Sequence, residues 1–199
     1  MLAVRLTETI KDENLRDLIY FRRYNIMTSA ELKRLKLTDT LIAVYSRVDQ
    51  PTKFDVGYVI DFSEEWLLLL AVDEYGKYDG YCIRCLENIF RIEMHSQYLS
   101  SIPIRDDVKQ EIIVGGVCIK TIYDILLKLK ESHVLFSAEL FNDSENHTCG
   151  YINDVYNDLL IVDEVDSYGH KDGNAVFEPD NITSIWFDSQ ELKKLETLI

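Results

Sequence analysis

A period of 93 residues constrains this chain more than any other feature it has. Laid over itself without a gap, GYVIDFSEEWLLLLAVDEYGKYDG (57–80) falls on GYINDVYNDLLIVDEVDSYGHKDG (150–173). Gly57/Gly150, Tyr58/Tyr151, Asp61/Asp154, Asp73/Asp166, Tyr75/Tyr168, Gly76/Gly169, Asp79/Asp172 and Gly80/Gly173 are identical pairs. The match continues through Asn88-Ile89 over Asn181-Ile182, Ile92 over Ile185 and Ser96-Gln97 over Ser189-Gln190. So many coincidences at one offset mark a duplication, and the chain must fold as two copies of one small unit.

The pattern inside a copy names its elements. TSAELKRLKL (28–37) and TIYDILLKLK (121–130) predict short helices, the first with Thr28 or Ser29 as N-cap and Glu31 in its first turn. LIAVYSRV (41–48) and VLFSAELF (134–141) are apolar runs of strand length. In Gly57–Phe62 the residues Tyr58, Ile60 and Phe62 alternate with Val59 and Asp61, the period of a half-buried strand. Trp66–Val72 is apolar throughout and predicts a strand covered on both faces, as in a closed barrel. Asp79-Gly80 and Asp172-Gly173 read as turns before the next strand. Pro103 and Gly115-Gly116 interrupt the pattern near 103–117, which sets the expected units at 1–102 and 103–199.

A short helix followed by five strands, with Gly57 to Asp73 and then Ile83-Arg84-Cys85 and Asn88-Ile89, resembles the Sm-like barrel family. The first stretch is similar to that family's first motif, and the second to its Ile-Arg-Gly and Asn-Ile motif. The duplicated layout also resembles uncharacterised bacterial proteins with two such repeats. The resemblance implies a mainly β (α+β) fold of two tandem Sm-like or SH3-like five-stranded barrels, each preceded by a short helix. RNA-binding members read a base with an Asp and an Asn of the first motif and the Arg and Gly of the second. Aligned from Gly57 and Gly150, the first-motif positions carry Ser63 and Leu67 in one copy and Tyr156 and Leu160 in the other. Only Arg84 remains, and Phe177-Glu178 stand where Arg84-Cys85 would repeat.

Charge argues the same way. With 21 basic against 35 acidic side chains the net charge is −14, which opposes the phosphate attraction behind nucleic-acid affinity. Residues 1–102 hold 13 basic and 16 acidic groups, 103–199 hold 8 and 19, so the halves carry −3 and −11. Residues 1–53 are an exception, with ten basic and seven acidic groups that include Arg22-Arg23, Lys33, Arg34 and Lys36. They read as a solvated helical face or as a dock for the acidic second copy, within one chain or between chains. The longest apolar run, Trp66–Val72, falls short of the roughly 18 residues of a membrane helix. Met1–Glu13 lacks the basic-then-apolar layout of a signal peptide, so a cytoplasmic location is expected.

Candidate chemistry is sparse. Cys82-x-x-Cys85 falls on a predicted strand, where side chains three apart point to opposite faces, so one metal cannot take both thiols without a bulge. Cys118 and Cys149 add no second pair, and all four read as reduced structural thiols. His95, His133, His147 and His170 have no ligand spacing, and Gly115-Gly116 lacks the Lys-Ser/Thr of a phosphate loop. The repeated loops DEYGKYDG and DSYGHKDG place Asp73, Asp79, Asp166 and Asp172 around glycines. Two such carboxylates could meet at a hard cation, but a calcium loop needs more oxygens and a closing bidentate Glu, and a hairpin explains them equally. Tyr75, Tyr78 and Tyr168 beside acids suit a protein-binding surface.

The expectation is therefore a non-catalytic interaction or regulatory module with no cofactor. Its partner is a protein or another copy of itself, rather than a small ligand, a membrane or a nucleic acid. A nucleic-acid-binding Sm-like protein acting through Arg84 and the basic N-terminal helices is the first alternative. A metal or enzymatic role at the Asp-Gly loops is the second.

Overall fold

The computed structural model describes residues 28–109, 119–141, 143–156 and 158–199. Met1–Glu13, Arg22-Arg23, Gly115-Gly116 and Cys118 lie outside them.

Helix α1 (Ser29–Leu37) starts where the sequence supplies a reciprocal cap. The Thr28 hydroxyl accepts from the Glu31 N–H, and the Glu31 carboxylate accepts from the Thr28 N–H. Helix α3 (Ile122–Glu131) repeats the device with Thr121 and Asp124. After α1 come β1 (Leu41–Tyr45), β2 (Asp55–Phe62), β3 (Trp66–Val72), β4 (Tyr78–Cys85), β5 (Arg91–Met94) and α2 (Gln97–Ser101). After α3 come β6 (Phe136–Leu140), β7 (Asp143–Tyr156), β8 (Leu159–Val165), β9 (Lys171–Phe177), β10 (Ile182–Phe187) and α4 (Gln190–Glu196).

The ten strands form one open antiparallel sheet in the order β5-β1-β2-β3-β4-β10-β6-β7-β8-β9. The first five strands and the second five thus run in the same internal order, 5-1-2-3-4. Registers repeat as well. Gly57 faces Ala71 across β2–β3, and Gly150 faces Glu164 across β7–β8, with a bulge two residues on in each. The shared glycines have a steric cause: a Cβ on Gly57 would lie 2.4 Å from the Leu70 carbonyl oxygen, and one on Gly150 would lie 2.2 Å from that of Asp163. Asn88 and Asn181 each end a 3-10 turn leading to the last strand of their half.

The uniformly apolar β3 is buried on both faces. Trp66, Leu68, Leu70 and Val72 join one cluster, while Leu67, Leu69 and Ala71 join another that also holds Leu32 and Leu35 of α1. The first cluster continues through Ile125 and Leu129 of α3 to Phe136, Ile152 and Ile185, so one core crosses from the first half into the second. Among the described residues no helix is long and apolar enough to cross a membrane.

Some sequence boundaries move. The strands expected over 41–48 and 134–141 are shorter, Leu41–Tyr45 and Phe136–Leu140. Asp79-Gly80 and Asp172-Gly173 are not turns but lie inside β4 and β9, where the registers against β3 and β8 shift. Gly80 and Gly173 have positive φ, +78° and +97°, as a bulge that steepens the strand twist requires. The turns sit just upstream, closed by Asp73 and Asp166.

Candidate functional site

The joint between the halves is the most elaborate polar structure among the described residues. Strand β10 lies between β4 and β6, with Ser184 opposite Arg84 on one side and opposite Glu139 on the other. Arg84, only 1% exposed, donates from Nε to Asp55 at the start of β2 (2.7 Å) and from Nη1 to Glu139 of β6 (2.5 Å). Arg47, just past β1, donates from Nε to the other Glu139 oxygen (2.7 Å) and lies 3.5 Å from Asp55. The Ser184 hydroxyl completes the set by donating to Glu139 at 3.0 Å. The sheet therefore curls far enough for the two ends of the β1–β2 connection, Arg47 and Asp55, to meet β4 and β6.

Two arginines and two carboxylates balance in charge, which is the condition for burying them. Burial opposes ionisation of Glu139, but Arg84 and Arg47 outweigh it and hold the carboxyl below the usual range. Burial likewise pulls Arg84 down, and Asp55 and Glu139 more than reverse that, so the guanidinium stays charged.

A second set of contacts closes the other end of the joint. The Gln190 N–H donates to Asp79 (2.9 Å), the Gln190 side-chain amide donates to the Tyr78 carbonyl (3.2 Å), and the Tyr78 hydroxyl donates to Asp188 (2.6 Å). Tyr81 stacks on Phe187 with ring centres 5.2 Å apart. Desolvation raises the Asp79 carboxyl, partly offset by the Gln190 N–H. Gly80 is needed here for space as well as φ: a Cβ would lie 2.5 Å from the Phe187 oxygen and the Ser189 nitrogen.

The residues singled out in the sequence thus divide. Arg84, Tyr78 and Asp79 are drawn into the joint. Asp73 and Asp166 close turns: Asp73 accepts from the N–H groups of Tyr75 (2.9 Å) and Lys77 (2.8 Å), and Asp166 from those of Tyr168 (2.8 Å) and His170 (2.9 Å). These backbone bonds, led by the one from His170, lower the Asp166 carboxyl. Asp172 is exposed on β9. Tyr75 and Tyr168 stand out at the turn tips, 61% and 73% exposed. Among the described residues no three His, Cys, Asp or Glu side chains group as a metal site.

Cys82 and Cys85 face opposite sides of β4, each against a different core cluster. Burial pushes the Cys82 thiol far up and those of Cys85 and Cys149 to about 11, so none is a thiolate at neutral pH. Of the helical basic groups, Lys36 pairs with Asp61 at 2.9 Å, and Lys130 of α3 pairs with the repeat counterpart Asp154 at 2.6 Å.

Sequence reasoning missed Arg47, Asp55 and Glu139, the residues gathered around Arg84; the joint also leaves two free edges. Strand β5 ends the sheet on one side and β9 on the other. Ile83 of β4 is fully buried, paired with Ile185 of the adjacent β10, whereas its counterpart at the 93-residue offset, Val176 of β9, is 57% exposed. The repeat itself held the signal: a strand covered in one copy must be uncovered in the other. Compared with models of known families, with curated proteins and with solved structures, the chain matches none.

Proposed function

We propose that this chain is a non-catalytic interaction module. It comprises two Sm-like five-stranded barrels joined by strand addition, and it binds protein through its two unpaired sheet edges. The observation that carries this reading is Val176, a large apolar side chain exposed on a terminal strand whose counterpart Ile83 is covered by a neighbouring strand. An uncovered apolar edge is a template for another strand, and a chain that keeps one has a use for it. Tyr75 and Tyr168 extend the accessible surface beyond the edges. Burial of Arg84 in the joint counts against the nucleic-acid reading, because a guanidinium only 1% exposed does not present its donors to a base.

A photo-crosslinking amino acid at position 176 tests the proposal in cells, with the exposed position 127, on helix α3, as control. A protein adduct from 176 that is missing from 127 is the expected result. No adduct from 176 would overturn the reading.

A further inference from the structure

We infer that Asp172-Gly173 is a modification site: in the native fold this dipeptide isomerises spontaneously to isoaspartate, while the identical dipeptide Asp79-Gly80 is held unreactive by the joint. Neither half of this depends on what the sheet edge binds.

The chemistry needs only this chain and water. The backbone nitrogen of the residue after an aspartate attacks the side-chain Cγ and forms a C–N bond. The nitrogen gives up its proton, and a carboxyl oxygen leaves as water, which closes a succinimide ring. Water then adds to one of the two ring carbonyls. Cleavage of the new Cγ–N bond restores aspartate; cleavage of the original peptide C–N bond leaves the chain running through Cβ and Cγ, which is isoaspartate. One water leaves and one enters, so mass and charge are unchanged and nothing is oxidised or reduced. A following glycine favours the closure, because no Cβ shields its nitrogen and its backbone turns freely. Asp79-Gly80 and Asp172-Gly173 are the two Asp-Gly pairs of the sequence, and Asn-Gly does not occur.

Both pairs sit on a bulge, so their surroundings separate them. The register shifts between Tyr81 and Tyr78 on β4, and between Asn174 and Lys171 on β9. Strand β4 has β10 along its far side, and a Cβ on Gly80 would lie 2.5 Å from the Phe187 oxygen and the Ser189 nitrogen. Asp79 accepts from the Gln190 N–H at 2.9 Å. Turning its carboxyl onto the Gly80 nitrogen breaks that bond and drives the peptide against β10. Strand β9 has no strand on its far side, and no atom lies within 4 Å of where a Cβ on Gly173 would stand. Asp172 is exposed, and among the described residues no hydrogen bond or ion pair holds its carboxylate.

One effect runs the other way. Desolvation raises the Asp79 carboxyl, and the neutral carboxyl is the form that loses water readily. Access outweighs it. A central strand such as β4 opens only with global unfolding, in about 10⁻³–10⁻⁶ of chains, whereas an edge strand opens locally far more often. Isomerisation adds the Cβ atom to the backbone of β9. That displaces Asn174–Phe177 from their partners Asp163–Leu160, so the product loses part of its ladder to β8. The exposed α-carboxylate it creates is the group an isoaspartyl carboxyl methyltransferase esterifies, taking the methyl from a sulfonium donor that becomes a thioether.

Peptide mapping of the full chain tests this, after weeks at neutral pH and physiological temperature. Electron-transfer mass spectrometry identifies isoaspartate because it cleaves the Cα–Cβ bond now in the backbone. A urea-unfolded sample and an Asp172→Glu variant, verified as folded by far-UV circular dichroism, are mapped beside it; glutamate must close a six-membered ring, which is far slower. Native wild type should accumulate isoaspartate at 172 and at least about a hundredfold less at 79. In urea the two sites should isomerise at similar rates. Methyl label transferred to the native chain by an isoaspartyl carboxyl methyltransferase should rise in step with the change at 172 and be lost in Asp172→Glu. Native protein that stays unmodified at 172 while the urea sample reacts there overturns the inference. So does native isoaspartate at 79 equal to that at 172, or methyl label undiminished in Asp172→Glu.

Discussion

Arg84 is where the account is most exposed at the scale of single residues. Its two carboxylate partners lie 29 and 55 positions away in sequence, so their meeting is created by the sheet and by nothing local. Removing one member of a buried ion-pair set strands the others, at about 3–5 kcal/mol. Arg84→Ala should therefore lower unfolding stability by that order in urea titrations, far more than truncating an exposed arginine. The pH dependence has a defined sign. Glu139 has a folded pKa below its unfolded value, so its contribution is present above about pH 4.3, the unperturbed Glu value, and is lost as pH falls through the depressed folded pKa. In Glu139→Gln, stability followed by acid titration should be lower at neutral pH and should fall less steeply on the acid side. An acid limb as steep as that of wild type would mean that Glu139 is not held charged by the arginines.

At the scale of elements, the two Asp-Gly bulges provide an internal control. Both glycines have positive φ, so a β-branched replacement strains each backbone by about 1–3 kcal/mol. Only Gly80 also has the β10 backbone within 2.5 Å of the new Cβ. Gly80→Val should therefore lower the melting temperature well beyond Gly173→Val, and equal losses would mean that the joint does not press on β4. These elements also divide what the sequence reveals from what it hides. Helices α1 and α3 were legible because Thr28 with Glu31 and Thr121 with Asp124 are local signals, and β3 because seven apolar residues in a row fit a strand buried on both faces. The Asp-Gly pairs misled because that dipeptide is also the commonest turn signal, and only the pairing of β4 with β3 shows a bulge. Arg84 read as a candidate nucleic-acid contact because one strand viewed alone cannot show Asp55 and Glu139 beside it.

For the whole molecule, the sheet order makes one chain out of two similar halves and leaves one edge of each unused. Duplication explains both facts: a head-to-tail contact between two copies satisfies one edge from each and can never satisfy the other two within the same open sheet. The same scale decides the nucleic-acid alternative. With a net charge of −14 and Arg84 enclosed, oligouridine should show no gel shift tighter than the about 10⁻⁴–10⁻⁶ M typical of non-specific contacts at physiological salt. Submicromolar, salt-sensitive binding would reverse the order of the two readings.

Hydrogen exchange tests the central claim, that β9 is an unfilled copy of β4, most directly. Amides of Tyr78–Cys85 should be protected to the level of global unfolding, because β3 and β10 flank them within the chain. Those of Lys171–Phe177, flanked only by β8, should exchange faster. Protection of Lys171–Phe177 that equals that of β4 would contradict the account.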